Sequence, residues 1–583
     1  MVGEIFNWGE NFNQVPLNTV GIQTRITVGN YRVPFNIKAT RWLGTYLDSR
    51  LSFSEHAKIS ARRARTAEGR LRSIVTRHGV PPLSARHLQE AIVGSTMMYG
   101  AEVTWRGQVG MSSAFQKGIN RMTRATLGVL PSTPVAFLQA EGGSIPAVAR
   151  LQGRQEAFAI RLAAREEPAD GLLRAGTGLG KRLRDMTKQG TEQIRASRGM
   201  VFPGVIEVPA ICHNDEDRRT TSKDAEEEAR TMNGNVNTVW TDGSRLEDGR
   251  VGAGVAWYED DRKDSGRRLV VARRDFRTGG KRREGQGGYL GKRRSMIEHQ
   301  GGWRSDGFSL GGGYEAYDGE LAALVYGLVV LHGRGQSGTD YTIFTDSTAA
   351  MTRLKGDAHG PGQEMAIRAI EIAERITRGG NTITFKWTPA HAGVEGNERA
   401  DMAAKSAATL PPLRGTRDRY SLAYLKRGTT EGIMKSWIAD TETRMTNGGR
   451  DRGAFRKPEK GARPRIRGPL RKVGKGVASR FFQLLSGHAM IAPFLKDRLG
   501  WTDSDSCWWC NGGRQSRDHL FKECTTWKKE IAELWKEVEG YQAKEGRARE
   551  RNVTTTRTRA HSRVERGLDF MSGRLGRGPA TPR

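Results

Sequence analysis

Cysteine is scarce in this chain of 583 residues, which contains four cysteines in all. Three of them, Cys507, Cys510 and Cys524, fall within eighteen residues. A disulfide framework would spread its cysteines evenly over a small domain, so this distribution argues against a disulfide-stabilised secreted fold. It indicates a reducing compartment and a metal site instead.

Long apolar runs are also missing. The best one, Leu321 to Leu331, is shorter than the roughly 18 residues that a membrane-spanning helix needs, so we expect a buried helix there. The first residues, MVGEIFNWGEN, contain no basic stretch followed by an apolar one, so no secretory signal is expected. Both absences favour an intracellular protein without a membrane partner.

Acidic residues are outnumbered by basic ones. The 95 Lys and Arg residues against 64 Asp and Glu give a net charge of +31 and an isoelectric point near 10.3. Such a balance does not suit a metabolic enzyme of small neutral substrates. A polyanion, above all a nucleic acid, is the expected partner.

The length predicts three or four folding units at roughly 100–200 residues per domain. Composition and hydrophobic periodicity divide the chain into an N-terminal segment (1–35), a mainly helical region (36–200), an acidic linker (201–235), an α/β domain (236–409), a basic linker (410–475), a cysteine-rich region (476–540) and a disordered Arg-rich tail (541–583). A basic, Gly-rich insertion at 261–301 interrupts the α/β domain, and we expect it to be disordered.

Four acidic residues of the α/β domain stand at the ends of predicted elements. Asp242 and Asp346 end strands, Glu320 lies in the first turn of a helix, and Asp401 lies on the last helix. Strand ends and helix termini converge in an open sheet, and four carboxylates need cations to offset their repulsion. Two Mg²⁺ ions would suit this oxygen-rich set, which predicts phosphoryl-transfer chemistry.

The surrounding motifs resemble type 1 ribonuclease H. They are TDGS (241–244), YDGELAAL (317–324), FTDS (344–347) and WTPAHAGVEGNERADMAAKSAA (387–408). The resemblance implies a mixed five-stranded sheet with helices and cleavage of the RNA strand of RNA–DNA hybrids. It also implies that Asp242, Glu320, Asp346 and Asp401 bind two Mg²⁺ or Mn²⁺ ions, that His391 assists proton transfer or product release, and that Gly243 and Ser244 contact the hybrid.

One spacing departs from that family. Because of the insertion, 78 residues (320 − 242) separate Asp242 from Glu320. The insertion would fall at a hairpin between the second and third strands, where it can leave the sheet intact.

The cysteine cluster reads C-x2-C-x8-H-x4-C over Cys507, Cys510, His519 and Cys524, which is the spacing of a tetrahedral Zn²⁺ site. It resembles the C-terminal CCHC finger of LINE-type non-LTR retrotransposon polyproteins. Residues 39–56 and 97–105 resemble the region after the polymerase palm of such elements. No aspartate pair typical of the polymerase is present, so reverse transcription by this chain alone is not expected.

The sequence thus predicts the C-terminal part of a retrotransposon polyprotein, located in the nucleus, that degrades RNA in hybrids and works with the polymerase part of the same element. One alternative is a nucleic-acid-binding remnant without catalysis. Another is a transposase or integrase of the same fold superclass, against which the motif HAGVEGNERAD weighs.

Overall fold

A computed structural model describes fourteen stretches of the chain and single residues 416 and 458. The stretches are 27–28, 31–32, 39–48, 51–165, 178–188, 190–194, 200–210, 215–259, 298–300, 302–356, 359–413, 419–447, 463–466 and 472–536, with Thr416 and Pro458 between them. The predicted Arg-rich tail and most of the insertion lie outside the described residues.

The main sheet has seven strands in this part of the chain. They are β1 (Val205–Glu207), β2 (Thr238–Arg245), β3 (Val251–Tyr258), β4 (Glu298–Gln300), β5 (Trp303–Gly311), β6 (Asp340–Thr345) and β7 (Thr382–Trp387). Their order across the sheet is β1-β7-β6-β2-β3-β5-β4. The first four in this order run parallel, and the pairs β2–β3, β3–β5 and β5–β4 are antiparallel.

Helices of eight or more residues account for most of the remaining described structure. They are α1 (Ser54–Arg77), α2 (Pro82–Gln89), α3 (Val109–Leu127), α4 (Ala147–Ala163), α5 (Gly178–Lys188), α6 (Asp215–Thr231), α7 (Ala316–Arg334), α8 (Thr348–Lys355), α9 (Gln363–Thr377), α10 (Glu395–Ala408), α11 (Leu422–Asn447), α12 (Lys475–Ser486) and α13 (528–536).

This architecture confirms the predicted fold class, an α/β ribonuclease H-like sheet preceded by a mainly helical region. Five strands were expected and seven are present, because β1 and β4 have only three residues each and add to the two edges of the sheet. Elements this short show no alternation of apolar and polar residues that a sequence pattern could reveal.

Helices cover both faces of the sheet. One face packs against α7 and α9 in a large apolar core around Val239, Ile343 and Phe385. The other holds a smaller core in which Trp240 stacks on Phe344 with ring centroids 4.4 Å apart, close to Val394 and Ala400 at the start of α10. The sheet is therefore buried on both sides, as its strongly apolar strands require.

The predicted apolar run is a buried helix. All residues from Leu321 to Leu331 lie in α7 and are buried, so the helix is enclosed on nearly every side. None of the described helices is both long enough and apolar enough to cross a membrane.

The segment 201–235 is not the linker that we expected. Its residues form β1, which pairs with β7, and α6, whose buried Ala229 and half-buried neighbour Met232 pack against the Trp240 core. The sequence of α6 is almost wholly charged and polar, so its single apolar contact escapes a periodicity search.

The segment 410–475 also differs from a basic linker. It contains α11, which packs against α4 and places the indole of Trp437 in the interior, with Nε1 donating to Gln139 O at 3.1 Å. Ile466 and Val473 join a separate core with Phe137.

The end of the 261–301 insertion also differs from the prediction, because its residues Glu298–Gln300 form β4. Residues 261–297 lie outside the described residues.

Candidate active site

Two carboxylates meet because neighbouring parallel strands are in register. Thr241 of β2 pairs with Thr345 of β6, so the residues that follow them, Asp242 and Asp346, are adjacent at the same level of the sheet. The prediction that Asp242 ends its strand was wrong. Strand β2 continues to Arg245, and Gly243 pairs with Ala253 of β3. The TDGS motif is thus a strand segment and not a turn.

Glu320 reaches the same place from α7, in the second turn of that helix. The helix lies so close to β2 that a Cβ atom on Gly243 would stand 2.1 Å from the backbone nitrogen of Glu320. Only glycine permits this approach, which gives Gly243 a packing role that the sequence did not predict. One carboxylate oxygen from each of Asp242, Glu320 and Asp346 lies within 4.8 Å of the others.

Burial and mutual repulsion disfavour the ionised form of all three acids. Burial raises the pKa of Asp242 to about 7, helped by the charges of Asp346 and Asp401. Burial, with Asp242 and Asp346 beside it, raises the pKa of Glu320 well above its usual value. Burial likewise raises the pKa of Asp346, although His391 acts in the opposite direction. A cation at the centre of this cluster would reverse the penalty.

A further observation fits a metal ion. The Oε2 atom of Glu320 is buried and has no hydrogen-bond partner among the described residues. Buried polar atoms are almost always paired, so an unpaired carboxylate oxygen beside two other carboxylates is suited to a hard divalent cation such as Mg²⁺.

Asp401 approaches the cluster from α10. It is 9% exposed and close enough to raise the pKa of Asp242 and of Asp346, while its Oδ2 lies 2.6 Å from Lys405 Nζ. The helix reaches this position because Gly252 and Gly254 of β3 have no side chains. A Cβ atom on either glycine would come within 2.3 Å of the backbone around Ala404.

His391 lies at the edge of the site, exposed in the loop between β7 and α10. Its backbone adopts φ 53°, the left-handed region that is uncommon for a residue with a side chain. A ring nitrogen of His391 lies within 4.8 Å of carboxylate oxygens of Glu398 and Asp401. Glu398 was missed by the sequence analysis, although its position three residues before Asp401 puts both on one face of α10.

Ser244 follows Gly243 on β2, pairs with Gly252 across the sheet and is partly exposed. It lies beside the carboxylates with its side chain accessible. Contact with a substrate by Gly243 or Ser244 stays a prediction.

The cysteine cluster forms a second group of converging ligands. The Sγ atoms of Cys507 and Cys524 are 3.8 Å apart, and Cys510 Sγ is 3.3 Å from His519 Nε2. The sulfur pair is too far apart for a disulfide bond. A tetrahedral Zn²⁺ with bonds of about 2.3 Å to sulfur would hold two sulfurs about 3.8 Å apart, which is the separation observed.

The surroundings of Cys510 and Cys524 shift the pKa values of the two thiols in opposite directions. A backbone N–H from Gly512 lowers the pKa of the half-buried Cys510 thiol to about 7, while burial raises the pKa of the Cys524 thiol to about 11. His519 Nδ1 lies 3.7 Å from a carboxylate oxygen of Glu523, a contact that orients the ring for a ligand at Nε2.

The tryptophans near the cluster divide between packing and exposure. Trp509 packs edge-to-face on Trp527 at 5.9 Å between centroids, whereas Trp501 is 63% exposed. Core packing therefore accounts for Trp509, and Trp501 is free to stack on a base.

A protein-family model described as RNase H matches residues 281–409. Because of this similarity, we call this part of the chain the RNase H domain. The match contains Glu320, Asp346, His391 and Asp401. It does not extend to Asp242, which joins the site through the pairing of β2 with β6. No curated protein matches the chain.

The matched residues include α7, β6 and α10, and Glu320 and Asp401 lie on these two helices while Asp346 directly follows β6. The match over residues 281–409 supports hydrolysis of RNA in hybrids as the general activity and a divalent metal as the general cofactor.

Proposed function

We propose that this chain is a ribonuclease H that hydrolyses the RNA strand of RNA–DNA hybrids at Asp242, Glu320, Asp346 and Asp401. The observation that carries the proposal is the meeting of three acids with raised pKa values around an unpaired, buried Glu320 Oε2. The family match over residues 281–409 supports it.

The four acids would hold two Mg²⁺ ions, with Mn²⁺ as a substitute. When bound, these ions lower the pKa of the attacking water and stabilise the leaving oxygen of the phosphodiester. His391, exposed and near Asp346 and Asp401, would move a proton at the edge of the site or assist product release. Gly243 and Ser244 would lie along the hybrid backbone, where recognition of the 2′-hydroxyl distinguishes RNA from DNA.

The Cys507, Cys510, His519 and Cys524 group would hold Zn²⁺ and stabilise a module that binds nucleic acid. Together with the helical region, this supports the C-terminal part of a retrotransposon polyprotein acting in the nucleus. The polymerase part of the same element would supply the hybrid, and this chain would remove its RNA template.

Cleavage of an end-labelled RNA–DNA hybrid in Mg²⁺ tests the catalytic proposal. We expect 5′-phosphate and 3′-hydroxyl products from the wild type and a loss of at least about 100-fold for Asp242→Asn, because electrostatic and metal-binding groups contribute on this scale. The matched control is Asp248→Asn, an exposed aspartate in the turn after β2, which should keep full activity.

Activity that survives Asp242→Asn would contradict the assigned site. A wild type that binds the hybrid without cutting it would support the alternative of a nucleic-acid-binding remnant.

A further inference from the structure

The exposed half of α1 is strongly basic. Seven Lys and Arg residues occur on this helix of 24 residues, against two glutamates. All seven are exposed: Lys58, Arg62, Arg63, Arg65, Arg70, Arg72 and Arg77. The opposite side of the helix, with Ala64, Leu71 and Val75, packs into the core of the helical region.

Local acids do not neutralise this surface. Glu55 pairs with Lys58 at 2.7 Å, and Glu68 pairs with Arg121 of α3 at 3.0 Å. Arg63 donates to the hydroxyl of Tyr46 at 2.9 Å. The remaining five arginines of α1 form no ion pair with any described residue.

Four of these five arginines flank a strip of small side chains, and Arg62 lies at the N-terminal end of that strip. At 100° per residue, Thr66, Gly69, Ser73 and Thr76 lie along the middle of the exposed face, with Arg65 and Arg72 on one side and Arg70 and Arg77 on the other. A Cβ atom on Gly69 would have no neighbour within 4 Å. An extended polyanion could therefore lie against the helix backbone with guanidinium groups on both sides.

The length of this basic surface matches one turn of a nucleic-acid duplex. A helix of 24 residues is about 36 Å long, close to one turn of a nucleic-acid duplex. The surface continues past the end of α1, because Lys475 N donates to Gly79 O at 3.1 Å and α12 begins there. Lys472 and Arg480, on and just before α12, are exposed.

We propose that the exposed arginine face of α1, composed of Arg62, Arg65, Arg70, Arg72 and Arg77, is a duplex-binding surface that grips the phosphate backbone. Helix α1 packs on the core of the helical region, whereas the helices and strands that carry the carboxylates pack on the core of the sheet. Phosphate contacts carry no sequence or sugar preference, so DNA duplexes and RNA–DNA hybrids should bind there alike.

The test measures binding of the full chain to a fluorescent DNA duplex of two helical turns over a series of salt concentrations. The triple variant Arg65→Gln, Arg70→Gln, Arg72→Gln is compared with Arg375→Gln, Lys426→Gln, Lys435→Gln. The control removes the same charge from exposed positions on α9 and α11. DNA is not the proposed substrate, so the result is independent of whether Asp242 supports cleavage.

We expect the α1 variant to lower the slope of log affinity against log salt by roughly three, about one for each lost phosphate contact. Affinity should fall at least about ten-fold at moderate salt, and the control should keep the wild-type slope. If both variants lose the same affinity, the effect comes from net charge alone and the proposal is overturned. A salt slope that is unchanged in both variants would also overturn it.

A second measurement does not depend on affinity. A photo-crosslinking amino acid at position 66, in the middle of the arginine face, should label the bound duplex, and the same group at position 430, exposed on α11, should not. Labelling from position 430 alone would place the duplex elsewhere and contradict the proposal.

Discussion

At the scale of single residues, the cluster of Asp242, Glu320 and Asp346 is costly to fold without a cation to offset its charge. The pKa of Asp242 rises to about 7 in the folded chain, because burial and the neighbouring acids disfavour its charge, against about 3.9 in an unfolded chain. The folded state therefore holds a proton that the unfolded state releases between these values. The stability that this proton confers is complete below about pH 4 and is lost as the pH rises through 7.

Thermal unfolding in chelator over pH 5 to 8 checks this dependence. We expect the unfolding temperature of the domain to fall as the pH rises, and excess Mg²⁺ to restore it at pH 8. Asp242→Asn removes the titrating charge, so at pH 8 without metal it should be more stable than the wild type by on the order of 2 kcal/mol. Asp248→Asn should match the wild type, and a less stable Asp242→Asn at pH 8 would contradict the electrostatic account.

Residue types that carry the chemistry could be predicted from the sequence, but their supporting contacts could not. The motifs placed Asp242, Glu320, Asp346, Asp401 and His391 in one region, and the structure brings them together. The close approach of α7 to Gly243 depends on three-dimensional packing that no local pattern encodes. By contrast, the pairing of Lys405 with Asp401 follows from their i, i+4 spacing on α10.

At the scale of elements, the helix that carries Glu320 is held by a segment outside the RNase H family match. Asp318 Oδ2 accepts hydrogen bonds from Glu315 N at 2.7 Å and from Ser421 Oγ at 2.5 Å. Ser421 also caps α11, because its Oγ accepts from Tyr424 N at 3.0 Å. Arg427 of α11 pairs with Glu315 at 2.8 Å. The first turn of α7 is thereby tied to α11.

Removing the Ser421 hydroxyl should weaken this tie. Ser421→Ala deletes a helix cap and leaves the buried Asp318 carboxylate short of a donor, so we expect a loss of about 2 kcal/mol in unfolding free energy. Because Glu320 lies two residues beyond Asp318, hybrid cleavage should also need more Mg²⁺.

Chemical denaturation and a Mg²⁺ titration of hybrid cleavage measure the two effects of Ser421→Ala. Thr430→Ala is the control, since this exposed hydroxyl of α11 bonds only within its own helix, to Lys426 O at 3.0 Å. If Ser421→Ala is destabilised but needs no more Mg²⁺ than the wild type, then Ser421 contributes to the stability of the fold and not to metal binding.

At the scale of the whole molecule, the long apolar elements could be predicted and the polar connections could not. Alternating and helical patterns located β2, β3, β6, β7, α7, α9 and α10. By contrast, α6 and α11 are polar helices that are stabilised by a few tertiary contacts, including Ala229 and Trp437, within segments whose charge suggested linkers. Charged composition alone, acidic in one segment and basic in the other, therefore did not distinguish linkers from helices that pack on the rest of the chain.

The cysteine-rich module has a small apolar core, so we expect its folding to depend on the proposed Zn²⁺. Its core consists of Cys507, Leu520, Cys524 and Ile531 with a few half-buried neighbours, and two of these four are proposed ligands. Cys510→Ser should therefore remove about one zinc ion per chain and unfold the module. The preceding helix α12 should stay folded, because Phe482 packs on Phe137 of the helical region with centroids 6.4 Å apart.

Metal analysis and limited proteolysis check this separation. Cys510→Ser should be cut rapidly between residues 500 and 536 while the RNase H domain resists, and cleavage of a short hybrid should persist because the carboxylates lie in another core. The control is Cys212→Ser, which removes the cysteine outside the cluster and should retain zinc. Equal zinc content in the two variants would show that the cluster does not bind zinc. Loss of hybrid cleavage in Cys510→Ser would show that the module and the catalytic domain fold as one unit.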